Sequence, residues 1–214
     1  MYRFIESYLK LPVLLNNDKP ITLSPMINDI LVLLRDKLND YCRLKTGTLE
    51  DKVFFPDGAN LDPAQFPVNS VVPILVNYEE EKQIRNANRF EGVIRDNVKI
   101  GGSPAIYLNL MVLFVIRFSN YEQTMKFMSL IISFFQTNNL FDQYSAPDLP
   151  PNIDKIRLEL QTMSFGERSE LWNSLKSPYQ PSVLYKVSML AFEDEVSIAL
   201  TSGVSDLKNS LQSI

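Results

Sequence analysis

The stretch Tyr107-Leu108-Asn109-Leu110-Met111-Val112-Leu113-Phe114-Val115-Ile116-Arg117-Phe118 decides how this chain folds, because it is apolar on both faces that a β-strand presents. Side chains alternate across a strand, which puts Leu108, Leu110, Val112, Phe114 and Ile116 on one face and Met111, Leu113 and Val115 on the other. A strand apolar on both sides needs cover on both sides, so it belongs inside a sheet with a layer packed on each face. The run is too short to cross a bilayer as a helix, which takes about 20 apolar residues, and it carries Arg117. Directly after it, Ser119-Asn120-Tyr121-Glu122 reads as a Ser-x-x-Glu capping box, and Met125, Met128, Ile131, Ile132 and Phe135 continue at helical spacing. The strand leads straight into a helix.

Upstream, Ser24-Pro25 offers a capping hydroxyl and a proline suited to the first helical position. Ile27, Ile30, Leu31, Leu34, Leu38 and Tyr41 then follow with helical period, and Gly47 stands where a helix C-terminal cap belongs. Residues 48–70, rich in Pro, Asp, Gly and Asn, form an ordered but irregular loop. Residues 71–78 have the β-branched character of a strand, and Pro73 places its start at an edge or a bulge.

Downstream, Ile156, Leu158 and Leu160 alternate with Arg157, Glu159 and Gln161, as a strand with one wet face requires. Ser164 to Glu167 repeats the capping box and opens a short helix carrying Leu171, Trp172 and Leu175, which Ser177-Pro178 stops. Residues 183–192 form a last strand. This order predicts an α+β fold, a mixed and mainly antiparallel sheet layered by helices. It spans residues 24–192, between an N-terminal extension, 1–23, and an acidic C-terminal tail, 193–214.

Composition narrows the function. The 214 residues contain 45% apolar and 21% charged residues, ordinary values for a globular chain. A net charge of −4 gives no bulk attraction to nucleic acid or to an anionic membrane. The count of histidine is 0, which excludes Ser-His-Asp, Cys-His and His-based metal sites. No glycine-rich phosphate cradle occurs, and Gly101-Gly102 reads as a turn. No catalytic residue, cofactor or metal ligand is expected. The single cysteine, Cys42, has no partner for an internal disulfide, so folding in the cytoplasm is the simpler reading. Arg3, Glu6 and Lys10 interrupt the apolar patches of the first residues, and no signal peptide is read there.

These pieces, in this order, resemble the tail-terminator or cap proteins of extracellular contractile injection systems, the phage-tail-like particles of bacteria. The likeness begins at Val76-Asn77-Tyr78-Glu79-Glu80-Glu81-Lys82-Gln83-Ile84-Arg85-Asn86 and continues through Tyr107-Leu108-Asn109-Leu110-Met111-Val112-Leu113-Phe114 and Ser119-Asn120-Tyr121-Glu122. It is most specific in Leu149-Pro150-Pro151-Asn152-Ile153, Leu158-Glu159-Leu160, Leu171-Trp172 with Leu175, and Tyr179-Gln180-Pro181-Ser182-Val183-Leu184-Tyr185-Lys186-Val187. The first 23 residues and the loop at 48–70 fall outside it. The resemblance implies a homo-oligomeric ring of about six copies. It would bind the terminal subunits of inner tube and sheath and end their growth, with no nucleic acid and no membrane insertion. Assembly would take place in the cytoplasm, and the finished particle would carry the protein with it. Another connector or baseplate adaptor is the competing role, and a carboxylate-based hydrolase is a third.

Candidate contact residues follow from charge, position and the resemblance. Glu79 and Glu81 share a strand face and end in solvent or at a subunit interface. Residues 82–99 hold five Lys or Arg, among them Arg85, Arg89 and Arg95, against two acids, and form either a solvated loop or a partner-binding one. Trp172 is a core residue or an exposed anchor. Tyr179, Pro181 and Tyr185 either set the path into the last strand or meet a neighbour, as the resemblance implies. The last strand has the composition for pairing with a neighbour, and the tail, with four acids and one lysine in residues 193–214, is expected either to dock on the terminal sheath layer or an adjacent cap subunit or to be a frayed terminus with no role.

Overall fold

The computed structural model describes residues 26–58, 60–81, 93–95, 98–100, 106–150 and 153–191. The extension 1–23, the helix start at Ser24-Pro25, Arg85, Arg89 and the tail 193–214 lie outside the described residues. In chain order the elements are α1 (Met26–Thr46), β1 (Ser70–Glu80), β2 (Val93–Arg95), β3 (Val98–Ile100), β4 (Ile106–Arg117), α2 (Tyr121–Thr137), β5 (Leu140–Asp142), β6 (Ile153–Gln161), α3 (Phe165–Ser174) and β7 (Ser182–Ala191). Five strands form one sheet in the order β1-β4-β7-β6-β5, every pair antiparallel, while β2 and β3 pair separately. The fold is α+β, as the sequence predicts.

β4 divides its side chains as the alternation requires. Leu110, Val112, Phe114 and Ile116 are buried under α1 and α2, together with Ile30, Leu34, Leu38, Phe127, Ile131 and Phe135. Leu113 and Val115 are buried on the opposite face with Phe66, Val72, Ile74, Leu184 and Trp172 of α3. The sheet is therefore the middle of three layers, and each fully buried aliphatic or aromatic side chain contributes about 1.5–3 kcal/mol. On β6 the second layer stops: Ile156 and Leu158 are buried, whereas Lys155, Arg157 and Glu159 face water.

Two local expectations are corrected at α2. Its N-cap is Asn120, whose side chain accepts from the Glu122 N–H, so no capping box forms from Ser119. The Ser119 N–H instead donates to Asn69 Oδ1 at 3.2 Å, an interaction from across the fold. The buried stripe is also rotated, running through Thr124, Phe127, Ile131, Phe134 and Phe135 rather than through the methionines. The second capping box does form, with Ser164 N–H donating to Glu167 at 2.7 Å and Glu167 N–H to Ser164 Oγ at 3.3 Å. Those donors, the Ser164 backbone N–H first and its hydroxyl second, hold the Glu167 carboxyl below its ordinary range.

α1 ends at Gly47, whose φ of +71° is the left-handed conformation that a helix cap favours in glycine. The irregular loop that follows is tied down by one buried side chain. Asn39 Oδ1 accepts from the backbone N–H groups of Lys52 at 3.0 Å and Val53 at 2.8 Å, and Asn39 Nδ2 donates to the Val53 carbonyl at 3.0 Å. Val53 then bridges to Val71 in parallel at the outer side of β1. β1 is the end strand of the sheet, as Pro73 foretells, and its register slips between Leu75 and Asn77. The last strand is different from its expected role: β7 lies between β4 and β6, both of its edges are occupied, and no strand can be added to it.

Candidate functional site

At the end of the sheet where β6 stops and β7 begins, the first turn of α3 and the turn after it enclose an open cleft of about 370 Å³. Phe165, Arg168, Trp172, Pro178 and Tyr179 line it. The capping box fixes Phe165 as the first helical residue, and Arg168 follows one turn on, so the two sit side by side. The Arg168 guanidinium lies 5.7 Å from the Phe165 ring centroid and 5.9 Å from that of Tyr179. Phe165 is 89% and Tyr179 53% exposed, large apolar surface to leave in water at one place.

Trp172 forms the inner wall, 3% exposed, with its ring 5.7 Å from Tyr179 in an edge-on arrangement. It is a core residue, packed on Leu113, Val115 and Leu184. Its indole Nε1 has no hydrogen-bond partner among the described residues, which costs about 1–3 kcal/mol for a buried donor. Lys176, with φ +52°, turns the chain between α3 and Pro178.

The residues singled out from the sequence fall in four places. Tyr179 is in the cleft. Pro181 is half-buried and its carbonyl accepts from the Ile116 N–H at 2.9 Å, so it guides the chain into β7. Tyr185 is not a surface residue: it is 3% exposed, 4.8 Å from Phe135 and 6.0 Å from Phe114, and burial pushes its hydroxyl up to about 12. Alternation with Val183 and Val187 points it into the helical layer, and the interface expectation fails there.

Glu79 and Glu81 lie at the opposite end of the sheet from the cleft. Glu79 accepts from Asn77 Nδ2 at 3.2 Å, and Glu81 accepts from Asn109 Nδ2 at 3.1 Å. Asn109 Oδ1 accepts in turn from Ser188 Oγ at 2.6 Å, so a polar chain runs from the end of β1 across β4 to β7. Arg95 ends β2 opposite Val98; the rest of the basic segment around Arg85 and Arg89 lies outside the described residues.

Phe165 and Arg168 carry the cleft and were not singled out by sequence, although their spacing inside a capping box was a usable signal. A smaller cleft of about 270 Å³ beside α1 holds Asp29, Asp36, Asp40 and Asp148. Arg35 pairs with Asp36 at 2.7 Å, Lys37 with Asp148 at 3.1 Å, and Arg43 with Asp40. Among the described residues, no group of three or more His, Cys, Asp or Glu is gathered to hold a metal ion, and no helix is long and apolar enough to cross a membrane.

Cys42 is buried on α1, and desolvation pushes its thiol up to about 11. The nucleophile is the thiolate, so disulfide reagents at pH 8 are expected to modify it about a hundredfold more slowly than a free cysteine. Stopped-flow labelling, with the denatured chain as reference, measures this ratio. Equal rates would place Cys42 at the surface.

A sheet layered by two helices on one face and one on the other defines the class, an α+β protein. The fold is similar to that of the sheath/tube terminator of PVC, an extracellular contractile injection system, in its extended state, at a TM-score of 0.53 and 17% identity. The match covers 84% of this chain and 58% of that one, so this chain spans little more than half the length of that relative. A second similarity is to the anti-feeding prophage cap, described as its tube-terminating cap, with a TM-score of 0.47, 15% identity, and coverage of 80% and 55% of the two chains. No curated protein matches. The chain belongs to the family described as the Pvc16 N-terminal domain, which it matches over residues 29–204.

Proposed function

We propose that this chain is a structural cap of a contractile injection particle, forming a ring of about six copies on the last layers of tube and sheath and ending their growth. The observation that carries the reading is the family match over residues 29–204, in a chain whose fold is similar to a sheath/tube terminator. The role requires complementary surfaces rather than a reaction centre. The exposed aromatic cleft at one end of the sheet supplies such a surface, and the chain's mild acidity suits protein partners better than nucleic acid. Assembly takes place in the cytoplasm, and release follows that of the particle.

Deleting the gene in the producing cell tests this. Particles are expected to vary widely in length and to lack the terminal density seen by cryo-electron microscopy in the complemented strain. Uniform lengths with an unchanged tube end would refute the cap role. Density for the chain at the spike end would instead favour a connector or baseplate adaptor.

A further inference from the structure

We infer that the cleft between α3 and the turn at 177–179 receives the acidic segment Phe192-Glu193-Asp194-Glu195 of a neighbouring copy, a contact that rests on the ring reading above. The cleft asks for an apolar group beside negative charge. Phe165 and Tyr179 expose their rings there, and Arg168 lies near both with no carboxylate among the described residues paired to it. An aromatic residue followed by three carboxylates matches this surface in both respects. The sequence has one other run of three acids, Glu79-Glu80-Glu81, but it is held at the end of β1, where Glu79 and Glu81 accept from Asn77 and Asn109.

The strand direction makes the contact intermolecular. The cleft adjoins the start of β7, since Pro178 and Tyr179 precede Ser182, and Gln161 at the end of β6 pairs with Leu184. The acidic segment follows Ala191 at the other end of β7, about 30 Å away at about 3.4 Å per residue. Residues 193–195 reach at most about 14 Å beyond Ala191. That span is shorter than the distance from Ala191 to the cleft of the same chain. A contact from one end of a subunit to the other end of the next is head-to-tail, the kind that closes into a ring.

Two differently tagged full-length copies test the contact, one carrying Ser169→Cys at the rim of the cleft and the other Glu193→Cys, with air and copper–phenanthroline as oxidant. Ser169 is exposed and its replacement keeps both rings and Arg168, and the emission of Trp172, the single tryptophan of the chain, verifies folding of each variant. A disulfide joining the two tags is expected. Arg168→Glu should lower its yield by about tenfold, and reversing the partner's charge through Asp194→Arg and Glu195→Arg should restore it. Rings that form without this disulfide overturn the inference, as does a disulfide confined within single copies of a chain that carries both Ser169→Cys and Glu193→Cys. Capture of Glu79→Cys in place of Glu193→Cys also overturns it. The cap role is read separately, by whether particle ends carry the chain: capped particles without the disulfide sink the contact alone, and the disulfide with bare particle ends sinks the cap role alone.

Discussion

Replacing Phe114 by alanine is expected to lower the free energy of unfolding by about 3–5 kcal/mol, enough to unfold a marginal domain at 37 °C. Phe114 is 0% exposed, and its ring lies 5.3 Å from Phe135 of α2 and 6.0 Å, edge-on, from Tyr185 of β7. It sits in register between Pro73 of β1 and Val183 of β7. The layer of helices closes over this point, so truncation leaves a cavity that neighbours pinned in two elements cannot fill. Urea titration followed by Trp172 emission measures the loss, and an unchanged slope shows that the midpoint reports stability. A change below about 1 kcal/mol would mean that the aromatic cluster repacks freely.

Asn39→Ala should cost about 2–4 kcal/mol, because three hydrogen bonds are lost together at a site that is 3% exposed. The Lys52 and Val53 N–H groups lose their acceptor, and the segment that bridges to β1 comes away from α1. Hydrogen exchange locates the damage. The amides of residues 52–54 are expected to lose protection while those of β4 and β7 keep theirs relative to global unfolding. Uniform loss across the sheet would show that the loop and the core open as one unit.

What could be read beforehand divides along a physical line. Local patterns held wherever their partners lie nearby: the two faces of β4, the capping box at Ser164, the left-handed Gly47 and the edge position that Pro73 imposes on β1. The start of α2 lies one residue later than the pattern suggests, with Asn120 as its cap, while the Ser119 N–H goes to Asn69, 50 residues away, a contact that no local pattern reports. β7 was legible as a strand, but its neighbours were not, since strand composition carries no information on which edges are filled. Of the two readings open for Tyr185, the path into the last strand or a contact with a neighbour, period-two alternation from Val183 to Met189 favours the first and points the side chain inward. The cleft escaped because it needs α3, the turn at Lys176 and the start of β7 to meet, three pieces whose proximity only the tertiary fold supplies.

The central place of β7 also governs when the sheet can come together during synthesis. β4 and β6 share no pairing with each other, and β7, which joins them, is translated after both. Its contacts span long chain separations, as between Asn109 and Ser188, 79 residues apart. Until the ribosome has released the segment through Ala191, nothing joins the pair β1–β4 to the pair β5–β6, and the edges of β4 and β6 that β7 covers in the finished sheet lack that partner. Loop closure over such separations is slow relative to helix formation. A nascent chain stalled short of Ser182 therefore presents two adhesive edges to its neighbours on the same polysome, and completion of this one strand conceals both.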